Sequence, residues 1–406
     1  MVSAPTSISQ IKYMKTLLLL IAALSAAVTP AYAQWSVEYM SQPRYNMVTA
    51  RFPTHAIFVS DSWDRYDAST GTWSNGVLSD ARLEISVAQA GPKAYFAGGK
   101  KGPFTDPIYV KAIDIYNDAT NTWSKANLSV ARSVGGAGAL GRQVFFAGGR
   151  SAYTIYNNVD IFDTKTGAIS RGKLSKARHD IAVGAAGNKI VFAGGWYWDI
   201  NFSVLYSNAV DIYDNTTRLW TKTTLSQKRD AVSVAVAGSK ILFAGGFITT
   251  GTGISKDVDI YDVSTDTWTT SSMSVPRYMP SVNVVGSKVY FAGSGNEGVN
   301  TVDVYDVATN SWSVLTMPYM LTAMRGVVIN NQIFYAGGYT PGTYAVADIV
   351  QIYDIASNTW STQNLSEARA GMASASFGAL NLFVGGQTRV TYPPAGSATV
   401  DIYTAP

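Results

Sequence analysis

An all-β chain folded as one β-propeller, a ring of four-stranded antiparallel blades, is what the sequence predicts, and three observations carry the prediction. Four marks recur in fixed order along the 406 residues: an arginine, a glycine pair closing an apolar run, a tyrosine before an aspartate, and a tryptophan. Three of the intervals between marks never change, while the fourth absorbs every insertion. The chain also stops one strand short of a full repeat and starts with the missing strand.

The arginine stands at Arg44, Arg82, Arg132, Arg178, Arg229, Arg277 and Arg369, with Leu321 in the remaining slot. Sixteen residues on come Gly98, Gly148, Gly194, Gly245, Gly293, Gly337 and Gly385, with Ser60 in the first unit. The aromatic mark is Tyr66, Tyr116, Phe162, Tyr213, Tyr261, Tyr305, Tyr353 and Tyr403. Seven residues later stands Trp73, Trp123, Ile169, Trp220, Trp268, Trp312 or Trp360, and nine after that the next arginine slot. Only the glycine-to-tyrosine interval varies, from 6 to 19 residues. Constant intervals are those of tight turns between strands of fixed register, and a variable one is that of a surface loop. Each unit therefore reads as four strands: a after the arginine ("ISVAQA", Ile85–Ala90), b ending in the glycines ("AYFAGG", Ala94–Gly99), c carrying "VDIYD", and d opening at the tryptophan. Eight such units point to eight blades, or seven if the short first unit collapses into a cap.

The elements "FAGG", "VDIYD", "TxTW" and "LSxAR" resemble the kelch repeat family over essentially all of Trp35 to Tyr403. The resemblance implies a kelch-type β-propeller. The final "VDIYTAP" is a strand c with no strand d behind it, and Trp35, nine residues before Arg44, supplies that strand. The N-terminal strand is thus expected to complete the last blade and close the ring, which removes the free edges. Strand a is poor in bulk ("SVGGAGAL", "IAVGAAG"), as crowding near a propeller axis requires.

The aspartate of "VDIYD" is Asp64, Asp114, Asp160, Asp211, Asp259, Asp303 and Asp401, replaced only by Gln351. The arginine is missing only at Leu321, in the same unit. The economical expectation is a structural ion pair within each blade, lost as a pair in unit seven, because a buried aspartate stripped of its arginine is costly.

At 47% hydrophobic and 14% charged residues the composition is that of a globular protein with ample core. A net charge of +4 without a basic run argues against nucleic acid as a partner. Lys12 and Lys15, the apolar "TLLLLIAALSAA" and "AYA" ending at Ala33 read as a cleavable signal peptide over residues 1–33. The expectation is an exported monomer, secreted or periplasmic, with residues 34–406 as one propeller and no membrane insertion. No cysteine is present, which excludes disulfides and thiolate chemistry, including the cysteine-linked tyrosine of the galactose oxidase propellers.

In an up-down-up-down unit the b–c loops emerge on one face with the d–a turns, so all length variation projects from that face. The opposite face offers only short turns such as "NDATNT". Candidate ligand-binding residues on the b–c face are Lys100, Arg150, Trp196, Tyr197, Trp198, Asp199, Phe247, Glu297, Tyr339 and Arg389, centred on the aromatic insertion Trp196–Asp199. Aromatic faces beside amide and charged groups suit sugars or polypeptide. His55 and His179 form no metal-ligand pattern, no catalytic motif stands out, and sialidase Asp boxes are absent. The reading is a non-catalytic propeller that binds a glycan or a protein, without cofactor or metal. Its alternative is a sugar epimerase or mutarotase, which the resemblance allows and in which Glu297, Asp199 and Arg150 would act.

Overall fold

Strand b is the most apolar segment of every unit and is buried almost from end to end, as in Lys240–Ala244 ("KILFA"). Flanked by a on one side and c on the other, it forms the middle of each blade. Residues 33–103, 105–248, 253–293, 299–389 and 395–406 are described by a computed structural model. They form eight four-stranded antiparallel sheets. Blade 5 is representative: Ser233–Ala237, Lys240–Ala244, Asp257–Asp262 and Thr267–Ser272 pair in chain order as strands a to d.

The first unit is a complete blade, with strands Val48–Arg51, His55–Val59, Ser62–Asp67 and Thr72–Val77. Its short interval removes the b–c loop and nothing else. Blade 8 combines Ala373–Phe377, Leu380–Val384 and Ala395–Thr404 with the N-terminal strand Gln34–Arg44. Trp35 lies opposite Tyr403 in that pairing, with ring centres 5.2 Å apart. The same pair in blades 1, 2, 4 and 7 is separated by 5.0, 5.2, 5.2 and 5.0 Å, so the two ends of the chain meet with the geometry of an interior blade.

The core lies between blades. Each of the eight apolar clusters joins one blade to the next, and one of them joins blade 8 to blade 1 through Leu382, Val384, Phe58 and Tyr66. The a strands contact one another in a closed circle around the axis. Small residues there are a packing requirement: a Cβ on Gly138 would stand 2.7 Å from a methyl of Val183 in the next blade.

The arginine–aspartate pairs form in all seven units that carry both residues. Arg82 reaches Asp114 at 2.8 Å, Arg132 reaches Asp160 at 3.0 Å and Arg178 reaches Asp211 at 2.7 Å. Each arginine is buried, and all but Arg44 also donate to strand backbone. Arg82 Nε bonds the Gly98 carbonyl at 2.7 Å, and Arg132 Nε bonds that of Gly148 at 2.7 Å, a bond across the sixteen-residue interval that Arg229, Arg277 and Arg369 also make. The second glycine then donates to the arginine carbonyl of the following blade, as Gly99 does to Arg132 at 3.0 Å and Gly386 to Arg44 at 3.0 Å. Gly99 has φ +109°, and a Cβ there would collide with the Leu83 carbonyl, so both conformation and space demand glycine.

Unit seven shows how the pair is dispensed with. Leu321 is buried in the apolar cluster between blades 6 and 7. The other aspartates accept the N–H of a serine three residues before the arginine, as Asp114 does from Ser79 at 2.8 Å. Pro318 occupies that serine's place and has no N–H. The longer Gln351 side chain instead accepts the N–H of Tyr319 at 2.7 Å.

Candidate binding face

Beyond each glycine pair, strands a and b rejoin for one isolated bridge: Leu83 with Lys100, Ser133 with Arg150, His179 with Trp196, Asp230 with Phe247, Thr322 with Tyr339 and Ala370 with Gln387. The residue two places after the arginine slot adopts left-handed backbone in Asn46, Glu84, Asp180, Ala231, Met279 and Ala323, with φ between 46° and 56°. Non-glycine residues take this conformation at a cost of roughly 1–2 kcal/mol each. Its repeated use projects varied side chains beside the bridges around the mouth of the ring.

The mouth divides into two sectors. In blades 2 to 4, Glu84 accepts from Lys100 at 2.7 Å and lies 3.7 Å from Arg150. Burial would raise the Glu84 carboxyl, but Lys100 and Arg150 outweigh it and hold it below its ordinary value. Arg150 also donates to the Tyr109 hydroxyl at 3.0 Å. Trp196 Nε1 donates to Asp180 Oδ2 at 2.6 Å, and the Trp196 ring meets His179 edge-on. A cleft of about 360 Å³ opens between Glu84, Arg150, His179, Asp180 and Trp196. Burial pulls the His179 imidazole down, and the neighbouring Arg150 charge adds to this. Burial, with Asp180 nearby, pushes the Asp230 carboxyl up to about 7, and its Oδ1 has no partner among the described residues.

In blades 6 to 8 the mouth is apolar and aromatic. A cleft of about 470 Å³ is lined by Met47, Tyr278, Met279, Met324, Tyr339 and Tyr344 among others, with Arg325 the charged residue at its wall. Phe247 packs on Tyr278 with ring centres 4.4 Å apart, and the Tyr339 hydroxyl donates to Gln387. A third opening of about 620 Å³ lies where blade 1 lacks its b–c loop, bounded by Tyr45, Asp61, Glu84, Lys100 and Gln387.

The structure thus gathers Lys100, Arg150 and Trp196 around Glu84 and Asp180, and sets Phe247 and Tyr339 around Tyr278. The aromatic insertion is a hairpin, Trp196–Trp198 pairing with Val204–Tyr206. Tyr197 presents one ring face to Lys176, whose ammonium lies 3.4 Å from the ring centre. Trp198 packs on Trp196 and Phe202. Asp199 Oδ1 closes the hairpin turn by accepting from Asn201 N at 2.9 Å and Ser203 N at 2.8 Å. Arg389 ends the short strand Gln387–Arg389 and is exposed. Glu297 lies outside the described residues. Sequence reasoning missed Glu84, Asp180, Asp230, Tyr278 and Met279. All five follow an arginine mark by one or two residues, at offsets where identity varies while the frame is constant.

Among the described residues no group of three or more histidine, aspartate or glutamate side chains could hold a metal ion. The kelch motif family matches residues 228–272, from just before Arg229 to the end of strand d in blade 5. No curated protein matches the chain. A kelch propeller fold suggests a protein-interaction scaffold. One matched motif within eight blades built on the same marks fits a kelch-repeat β-propeller.

Proposed function

We propose that the protein is an exported, monomeric, non-catalytic binding propeller that takes a polypeptide ligand on its b–c loop face. The observation that carries this reading is the cleft of about 470 Å³ among Tyr278, Met279, Met324, Tyr339 and Tyr344. Tyrosine offers large, amphipathic contact area and methionine adapts its shape to varied apolar side chains. The hydrogen-bonded sector around Glu84, Arg150 and Asp180 supplies polar groups across the mouth to set orientation. Glycan stacking is less favoured, because Tyr197 and Trp198 already use ring faces on Lys176, Trp196 and Phe202. The epimerase alternative loses support at Asp199, engaged in a turn, and at Arg150, engaged by Glu84 and Tyr109.

The test is selection of a displayed peptide library on the mature protein, with a glycan array run in parallel. Enrichment of peptides with an apolar anchor, lost in Tyr278→Ala/Tyr339→Ala, supports the reading. Glycan binding with no peptide enrichment overturns it. Export is tested by the mass of the processed chain, which should begin at Gln34.

A further inference from the structure

Each arginine of the repeat mark is matched by an aspartate, but two arginines inside the ring are not. The eight innermost strands contain Arg51 and Arg325 and no aspartate, glutamate or lysine. Arg325 opens strand a of blade 7 (Arg325–Ile329), and Arg51 closes strand a of blade 1. Both lean on the strand between them, Ala373–Phe377 of blade 8. Arg325 Nε donates to Ser374 Oγ at 2.7 Å, and Arg51 Nε donates to the Ser376 carbonyl at 2.5 Å. Ser374 and Ser376 face the same side of one strand, about 7 Å apart.

Among the described residues neither guanidinium forms an ion pair, and the Nη groups of both make no hydrogen bond. Both side chains remain exposed. Surrounding protein still pulls the Arg325 guanidinium below its ordinary value, because burial disfavours the charged form. A cavity of about 460 Å³ lies against this wall, lined by Arg51, Asn283, Gly326, Val328, Ser374 and Ser376. Gly326 leaves room for Asn283 to reach across from blade 6, since a Cβ there would collide with the Asn283 side chain.

Two cations on one low-dielectric wall, with open donor forks and no carboxylate, focus a positive potential into the channel. Guanidinium forks match the paired oxygens of carboxylate and phosphate. We propose that the channel wall at blade 8 is a binding site for a small oxyanion, a carboxylate or phosphate, gripped between Arg325 and Arg51 with Ser374 and Asn283 beside it. Arg325 stands between this cavity, which Arg51 lines, and the cleft of about 470 Å³ at the mouth, which Arg325 itself lines; the oxyanion site therefore adjoins the proposed peptide cleft but does not depend on a peptide binding there.

The test is calorimetric titration of the mature protein with inorganic phosphate and, separately, malonate, at ionic strength held constant with chloride. Saturable one-to-one binding of either anion is expected. It should weaken at least tenfold in Arg325→Gln and in Arg51→Gln, vanish in the double variant, and be unchanged in Arg171→Gln on an outer strand. Phosphate alone, malonate alone or both would each support the site and identify the oxyanion it prefers. Absence of saturable binding by the native protein, or undiminished binding in the folded double variant, would overturn it. Arginine Nε–H NMR signals of the native protein keep the test open if variants misfold. Two of them should move on anion addition, and none moving would count against the site.

Discussion

Replacing Arg229 by alanine should cost about 4 kcal/mol of stability. Arg229 is fully buried and donates to Asp259, to the Gly245 carbonyl at 3.0 Å and to the Asp257 carbonyl at 2.6 Å. Removing one partner of such a pair costs roughly 3–5 kcal/mol, because the remaining charge stays buried. Asp259 would keep two donors from Ser226, at 2.9 and 3.0 Å, which lowers the loss, while the vacated guanidinium space raises it. With an unfolding entropy of roughly 0.8 kcal/mol/K for a chain of this length, the melting temperature should fall by about 5 °C. The double change Arg229→Leu/Asp259→Gln imitates unit seven, where Leu321 and Gln351 are both buried without a charge. It should recover at least half of the loss in calorimetry or chemical denaturation. A double variant no more stable than Arg229→Ala would refute the pairing argument and reduce the paired exceptions in unit seven to coincidence.

Three further outcomes follow from named contacts. Asp230, with its carboxyl raised to about 7 against about 3.9 when unfolded, holds a proton in the folded state that the unfolded chain releases. Its contribution to stability is therefore present near pH 4 and lost as pH rises to 7, so Asp230→Asn should stabilise by about 2–4 kcal/mol at pH 8 and negligibly at pH 4; equal effects at both would contradict the buried, shifted carboxyl. Trp35→Ala should destabilise as much as Trp268→Ala, about 3 kcal/mol, because both fill the same place in a blade; a loss under about 0.5 kcal/mol at Trp35 would mean that the ring is not closed there. Trp196→Ala/Trp198→Ala should remove the hairpin's contacts with His179 and Asp180 yet lower the melting temperature only slightly, since both rings are half-exposed; a fall as large as that of Arg229→Ala would place them in the structural core.

Blade number, strand order and ring closure were legible because each is written into spacing. Sixteen residues separate Arg82 from Gly98 because the side chain of one bonds the carbonyl of the other. Trp35 could be assigned to the last blade because its offset from Arg44 matched every other tryptophan–arginine interval. The completeness of blade 1 was less legible, since Ser60 and Asp61 break the glycine mark. The structure shows Ser62 compensating there: its hydroxyl accepts from Arg44 at 2.8 Å, where Arg82 and Arg132 donate to the carbonyl of the glycine slot. The binding face was legible only as a face. Which residues meet across it depends on left-handed backbone at Glu84, Asp180 and Met279, and no residue type at those positions advertises that conformation. Asp199 drew notice as a polar residue among exposed aromatics, but an aspartate two residues before a backbone N–H serves equally well to close a turn.

The binding claim is tested most directly by 13C NMR of the methionine methyl groups during titration with a selected peptide. Met47, Met279, Met324 and Met372 line the Tyr–Met cleft, Met324 and Met372 from the edges of buried clusters, whereas Met40 and Met273 lie in the clusters that join blade 8 to blade 1 and blade 5 to blade 6 and do not line it. The account predicts saturable shifts in the first four signals and stationary signals from Met40 and Met273. Binding that leaves the four cleft methyls unmoved would contradict it.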